Sequence, residues 1–347
     1  MVVNPRIVVL GAGSVGCFIG GAWAAKGLHV SFIGRTPIAE EVKANGLRLS
    51  ALDGKPLSVP ADAIEFSTKP AALAKADIVL LCVKSNDTAN AARQIAMHAK
   101  RNPTVISCQN GVSNPDVLKK ALPKFDIIPA VVSFNIVHQG PGRWHKSVSG
   151  ELYLADRPIA HDLEARIPSG LGAPKIAKDI QSFAWGKLLL NLNNAVNALS
   201  GRTLLEELRE RDYRRVLAAA MLEALELFRI AKITPAQMGP IPPNLLPHAV
   251  AAPDLIFNNM LLRIQNIDPS ARSSMLDDLE AGRPSEVDAL NGEVVRLAER
   301  LGRDAPVNRA LVDLVRQREA GVEHIWSPGQ LREYVLEGHR GVAIFGY

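Results

Sequence analysis

The chain has 347 residues, of which 47% are hydrophobic and 22% charged, a composition that excludes a disordered polypeptide and a length that predicts two domains. Its 40 basic and 35 acidic residues leave a net charge of +5. They are intermixed, as in Glu206-Glu207-Leu208-Arg209-Glu210-Arg211-Asp212, which reads as a solvated helix face and argues against a nucleic-acid patch, while a mild positive balance suits small anionic ligands. Cys17, Cys82 and Cys108 are odd in number and lack metal-ligand spacing, so buried free thiols in a reducing cytoplasm are expected.

The first element is carried by Ile7 to Gly16, IVVLGAGSVG, which continues as CFIGGAWAA to Ala25. An uncharged run after Arg6 that ends near Ala22-Trp23-Ala24 imitates a secretion signal or an anchor. Its five glycines weaken an apolar helix, however, and its length sits near the lower limit for a membrane span. The glycines form G-x-G-x-x-G between the β-branched run Ile7-Val8-Val9 and an Ala-rich segment, and a second apolar run, Leu28 to Ile33, follows. Strand, tight turn, helix, strand is the context in which this motif binds a dinucleotide. Gly11 then allows the turn, Gly13 lets the backbone approach a pyrophosphate, and Gly16 permits close helix–strand packing. With Ser14 and Val15 at the helix N-terminus, these positions are the expected cofactor contacts.

The second strand ends in Ile33-Gly34-Arg35-Thr36, where an NAD-selective fold carries an acidic residue for the ribose 2′-hydroxyl. A guanidinium matches a 2′-phosphate instead, which predicts NADP(H) with Arg35 on the phosphate; the other reading is an exposed loop arginine. Gly46 to Glu65, around Asp53-Gly54, reads as a hairpin. Asp77 to Val83 and Thr104 to Cys108 read as buried strands, which puts Lys84 and Asn110 at carboxyl ends, where doubly wound sheets bind ligands. A first exposed lysine and an ordinary Asn110-Gly111 turn are the alternatives. Around Gly140-Pro141-Gly142, His138 and His145 flank a turn between strands rather than a metal site.

From about Asp179 the pattern is helical. In Trp185 to Ser200, WGKLLLNLNNAVNALS, Asn191 lies about 40° from Lys187 around a helix and Asn194 about 20° on the other side, so one lysine and two asparagines share a face. The stripe faces either water or a ligand crevice, because buried unpartnered polar groups are costly. Farther on, Pro284-Ser285 predicts a helix start with Ser285 as cap, Asp288 in the capping-box position and Glu286 as a first-turn acid, with Val287, Leu290, Val294 and Leu297 on the buried face.

Taken in order, GAGSVG, the Gln109-Asn110-Gly111 turn, Lys187-x-x-x-Asn191 and SSMLDDLEAGRPSEVDALNG from Ser273 resemble ketopantoate reductase, the 2-dehydropantoate 2-reductase family. The resemblance implies an α/β fold with an NADP(H)-binding Rossmann domain over residues 1–178. A helical substrate and catalytic domain similar to that of 6-phosphogluconate dehydrogenase would follow over 179–347, with NADPH held between the two. It further implies reduction of 2-dehydropantoate to (R)-pantoate on the route to pantothenate and coenzyme A. Lys187 would be the general acid, Asn110 and Asn191 would hold substrate, Ser274 its carboxylate and Glu286 its hydroxyl, with Asn194, on the same helix face, substituting for a family asparagine absent here. Lys84, Arg35, Asn110 and Glu286 match cofactor-side positions.

Hydride arriving at a carbonyl carbon leaves negative charge on oxygen, so a proton-donating cation is needed there, and a lysine on a partly apolar helix releases its proton more readily. The family pattern is not complete: Ala195 and Ala271 stand where it has asparagines, and Asp277 where it has glutamine. Reduction of another 2-keto acid and a non-catalytic NADP(H) sensor are therefore the competing functions, the second opposed by the lysine–serine–glutamate set. Helical second domains of this kind often associate, so a homodimer is an expectation; nucleic acid and membrane are not expected as partners.

Overall fold

A computed structural model describes residues 4–52, 54–262, 268–269 and 271–338; Asp53 of the expected Asp53-Gly54 turn lies outside them. The chain divides into two compact units between Ile180 and Gln181.

In the first unit the chain runs β1 (Arg6–Leu10), α1 (Ser14–Ala25), β2 (His29–Ile33), α2 (Thr36–Asn45), β3 (Leu47–Ala51), β4 (Leu57–Val59) and β5 (Glu65–Ser67). It continues through β6 (Ile78–Leu81), α3 (Thr88–His98), β7 (Thr104–Ser107), α4 (Asn114–Ala121), β8 (Ile127–Val132), β9 (Ile136–His138), β10 (Arg143–Lys146), β11 (Leu152–Ala155), α5 (Pro158–Arg166) and β12 (Pro174–Ala177). The main sheet has the order β12-β11-β8-β7-β6-β1-β2-β5. Its strands from β5 to β8 are parallel, and β11 pairs antiparallel to β8. The strand order reverses between β1 and β6, the switch point at which doubly wound sheets take their ligands.

Val8 and Leu10 of β1 face a core with Ile95 of α3 and Leu118 of α4. The alternating residues Ile7 and Val9 face α1, as the period of a strand requires. On its other side α1 meets a second sheet, β4-β3-β10-β9, in which two antiparallel hairpins are joined by parallel pairing of β10 with β3. The hairpin read at Gly46 to Glu65 and the turn between His138 and His145 are the two halves of this sheet. His138 Nε2 lies 2.6 Å from Glu41 Oε1, and His145 Nδ1 lies 2.8 Å from Ser50 Oγ.

Sandwiching explains why α1 is uniformly apolar and rich in glycine. A Cβ on Gly20 would lie 2.6 Å from Val9 Cγ2, and one on Gly21 would lie 3.0 Å from Leu47 Cδ1. A helix covered on both faces thus mimics an export segment, and no helix among the described residues is long and apolar enough to cross a membrane. Gly20→Ala is expected to overpack this layer and cost about 1–3 kcal/mol, read as a lower Tm in thermal melts. Cys17 and Cys108 are buried, Cys82 is half-buried, and all three are free thiols.

Beyond β12 the described residues form helices and turns without strands: α6 (Ile180–Asn191), α7 (Asn193–Ser200), α8 (Leu204–Arg209), α9 (Arg211–Ile230), α10 (Leu246–Val250), α11 (Ser274–Glu280), α12 (Asn291–Arg300), α13 (Pro306–Glu319) and α14 (Pro328–Arg332). Helix α9 buries Tyr213, Val216, Leu217, Ala220, Met221, Ala224, Leu227 and Phe228 at helical spacing. Polar anchors pin the surrounding elements. Glu223 accepts hydrogen bonds from the backbone N–H groups of Val307 and Asn308 at the start of α13, both at 2.9 Å. Arg214 donates to the Val250 and Ala252 carbonyls, pairs with Asp254 and stacks 4.1 Å from the Phe257 ring centroid.

Two local expectations are corrected. The segment from Trp185 to Ser200 is not one unbroken helix, because Leu192, with φ −58° and ψ −24°, adopts a 3₁₀-like turn between α6 and α7. The helix expected at Ser285 begins at Asn291 instead. Ser285 Oγ accepts from Val287 N at 3.2 Å at the start of a single 3₁₀ turn, while Asp288 pairs with Arg316 at 2.6 Å rather than closing a capping box. Val287, Leu290, Val294 and Leu297 are buried as expected.

Candidate active site

The glycine loop is built by steric exclusion. Gly11 has φ +96°, and a Cβ there would lie 2.5 Å from Val83 N. At Gly16 a Cβ would lie 2.6 Å from the Gly11 carbonyl oxygen, so helix and turn pack as closely as the motif demands. Around Gly13 a Cβ would meet nothing within 4 Å. The loop is therefore closed on its protein side and open where a ligand's phosphates approach. Ser14 and Val15 are half-buried at the start of α1, with Gly13 as the cap. Gly34 packs against Ala12 of the same loop, with a Cβ there 3.0 Å from Ala12 Cβ, which carries Arg35 past the end of β2 beside the loop. Arg35 is exposed at the N-cap of α2.

Lys84 and Asn110 follow the neighbouring strands β6 and β7 and are tied together by groups that local sequence signals did not single out. Ser85 Oγ donates to the Asn110 carbonyl at 3.0 Å, and Asn114 Nδ2 donates to the same carbonyl at 2.5 Å and to Ser85 Oγ at 2.9 Å. Thr88 Oγ1 lies 2.8 Å from both Asn114 Oδ1 and the Ser85 carbonyl, and accepts from Gln109 Nε2 at 2.7 Å. Gln109 Nε2 also reaches the Lys84 carbonyl at 3.4 Å. Both carboxyl-end loops are thus one polar cluster, and Lys84 Nζ is shielded from solvent beside it. Asn114-Pro115 at a helix start was the available sequence signal, but its reach back to two strand ends is a tertiary fact.

In the helical unit Lys187, Asn191 and Asn194 are each half-buried, whereas Leu188, Leu189, Leu192, Ala195 and Val196 are buried. The stripe survives the turn at Leu192. Gly186, just before the lysine, lets α6 approach the chain at Ala236, where a Cβ would come within 2.3 Å of the carbonyl oxygen. Ala195 is fully buried, so the departure from the family asparagine falls in the core here, and Asn194 is the amide on the stripe.

Ser274 is exposed as the first residue of α11. The preceding Ser273 caps that helix by accepting from Leu276 N at 3.1 Å, and its hydroxyl donates to the Asn194 carbonyl at 3.4 Å. Ser274 thus follows directly on the residue that bonds to the Asn194 backbone. Glu286 is buried, its carbonyl accepting from Ala289 N at 2.9 Å and Leu290 N at 3.2 Å. It is therefore a buried acid of a 3₁₀ turn rather than a first-turn acid of a long helix.

One acid of the expected solvated charge run is not solvated. Glu207 on α8 is fully buried and accepts from Asn193 Nδ2 at 3.0 Å and Asn197 Nδ2 at 3.3 Å, while Glu206 forms the exposed capping box with Thr203. Burial pushes the Glu207 carboxyl from 4.5 up to about 8, against the opposing hydrogen bonds of the two amides.

Ketopantoate reductase PanE/ApbA is the description of the family model that matches residues 7–158, and the C-terminal model of the same family matches residues 179–319. The 2-dehydropantoate 2-reductase of Halobacterium salinarum is 28% identical over 321 residues, spanning 90% of this chain and 98% of that protein. The crystal structure of a PanE/ApbA family ketopantoate reductase from Ralstonia eutropha is 30% identical with a TM-score of 0.76, over 92% of this chain and 100% of that one. A D-mandelate dehydrogenase solved with NADH and anilino(oxo)acetate shares the fold at 19% identity and a TM-score of 0.73, over 91% of this chain and 98% of that one. Matched through both of its units, this chain belongs to the ketopantoate reductase family, oxidoreductases that act on a CH–OH group with a nicotinamide cofactor.

Proposed function

We propose that this enzyme reduces 2-dehydropantoate to (R)-pantoate in pantothenate and coenzyme A biosynthesis, with NADPH as reductant and Lys187 as proton donor. The observation that supports the reading is that Ser273, directly before Ser274, bonds to the backbone of Asn194, and that Asn194, Lys187 and Asn191 are all half-buried among buried apolar residues. The domains take separate roles in this reading, residues 1–178 holding the dinucleotide and 179–347 the substrate.

The glycine loop fits a dinucleotide, being crowded at Gly11 and Gly16 and open at Gly13. Ser14 and Val15 offer N–H groups to its phosphates, Arg35 pairs with the 2′-phosphate, and Lys84, Asn110 and Glu286 complete the cofactor contacts. When bound, the nicotinamide supplies the hydride for the C2 carbonyl. Lys187 Nζ stabilises the charge gathering on the carbonyl oxygen and donates its proton there. Asn110, Asn191 and Asn194 orient the substrate through their amides. Ser274 donates to its carboxylate, and Glu286 accepts from its hydroxyl.

The direct test follows NADPH absorbance after adding ketopantoate to the purified enzyme, with NADH and other 2-keto acids alongside. Oxidation of NADPH with ketopantoate above all other acids is expected. Preference for another acid would overturn the substrate, and tight NADPH binding without turnover on any acid would make the chain a sensor. Arg35→Ala is expected to raise the KM for NADPH about tenfold or more, the loss of a charged hydrogen bond, and to leave the KM for NADH within about twofold. Equal effects on both cofactors would remove Arg35 from the phosphate.

A further inference from the structure

The fully buried Glu207 makes no ion pair among the described residues, and its position in the hydrogen-bond network points to a use. Asn197, also fully buried, splits its amide between two duties. Its Nδ2 donates to the Arg202 carbonyl at 3.0 Å and to Glu207 Oε2 at 3.3 Å, which consumes both amide protons. Its Oδ1 accepts from Ser273 N at 3.0 Å. Rotating the amide by half a turn would face NH₂ against the Ser273 N–H and a carbonyl oxygen against another acceptor. The acceptors at Glu207 and Arg202 therefore fix which end of Asn197 meets Ser273. Ser273 in turn caps α11 and bonds to the Asn194 carbonyl, and Leu204 N at the head of α8 donates to the Ala271 carbonyl at 2.8 Å. The strand of chain that delivers Ser274 is held at three points, and one of them traces back to Glu207.

We propose that Glu207 is a positioning residue for substrate recognition, acting through Asn197 and Ser273 to hold Ser274 and Asn194 in register for the carboxylate of the 2-keto acid. The proposal rests on the substrate-side roles given above to Ser274 and Asn194. Burial disfavours the ionised form of a carboxyl, so stability alone gives the fold little reason to place one against two amides. Orienting Asn197 gives it one.

The test compares Glu207→Met, which keeps the volume and removes the acceptor, with Glu207→Gln, which keeps an acceptor for the amides, and with Asn197→Leu. Each is checked by circular dichroism and by NADPH titration, and kinetics are taken on whichever 2-keto acid the wild-type enzyme reduces. Failure of ketopantoate as a substrate thus counts against the functional reading and leaves the relay to be judged on its own. Glu207→Met and Asn197→Leu are expected to raise the KM for the keto acid about tenfold, with kcat within about threefold and NADPH binding unchanged, as for a misplaced carboxylate donor. Glu207→Gln is expected to restore KM to within about twofold, and the double variant to be no worse than either single one, because both cut the same relay. An unchanged KM in a folded Met or Leu variant would overturn the proposal. So would equal KM defects in Glu207→Gln and Glu207→Met, or failure of both truncations to fold, which would assign Glu207 to the core alone.

Discussion

Lys187→Ala is expected to lower kcat by about 10²–10⁴-fold, the usual contribution of a positioned general acid. The KM for the keto acid should move by no more than a few-fold and NADPH should bind as before, because in the proposed mechanism the lysine acts on charge that develops as hydride arrives. The side chain is half-buried on α6, among buried leucines and one turn from Asn191, so water replaces its proton poorly when it is removed. Lys187→Arg separates charge from proton donation: a guanidinium keeps the positive charge but does not give up its proton, so most of the defect should remain. Single-turnover oxidation of NADPH in a stopped-flow instrument reads the step directly. A kcat within about tenfold of wild type for Lys187→Ala would move proton donation to another group.

The second large effect concerns stability against pH. Glu207 has its carboxyl raised from 4.5 to about 8 by burial, so between those values the folded chain holds a proton that the unfolded chain has released. Its contribution is fully present below about pH 4.5, is lost at about 1.4 kcal/mol per pH unit as the pH rises, and is gone above about pH 8, a total of at most about 5 kcal/mol. Tyr213, which faces Glu207 as well as Arg202 and Glu210, is itself raised, chiefly by burial. Glu207→Gln imitates the protonated acid at every pH. Denaturant titrations at pH 5, 7 and 9 should therefore show the variant gaining on wild type as pH rises, with little difference at the acid end. Parallel curves for the two proteins would mean that Glu207 is ionised in the fold.

The opening Rossmann unit was legible because its signals are local: glycines at fixed spacing between β-branched runs. The same locality set the limits. That α1 is glycine-rich because a second sheet covers it depends on β10 pairing with β3, and nothing near residues 47–51 encodes a partner near residue 145. The stripe of Lys187, Asn191 and Asn194 was readable from helical period, and it survived the turn at Leu192 because that turn stays close to helical geometry. Ser285 and Asp288 satisfied a capping pattern, yet Glu319 accepts from Ser285 N at 2.6 Å and Arg316 takes Asp288, so tertiary partners outcompeted the local cap. Glu207 was misread for the opposite reason: five charged neighbours in sequence hid an acid that points inward.

The four-stranded sheet also bears on how this protein is made. Its central pair joins strands whose side chains Ser50 and His145 bond across 95 residues of sequence, and closing so long a loop is entropically slow. Until residue 146 has left the ribosome, one flank of α1 stays uncovered, exposing an apolar helix that resembles an export sequence. A nascent chain paused between β8 and β10 therefore leaves apolar surface of α1 exposed.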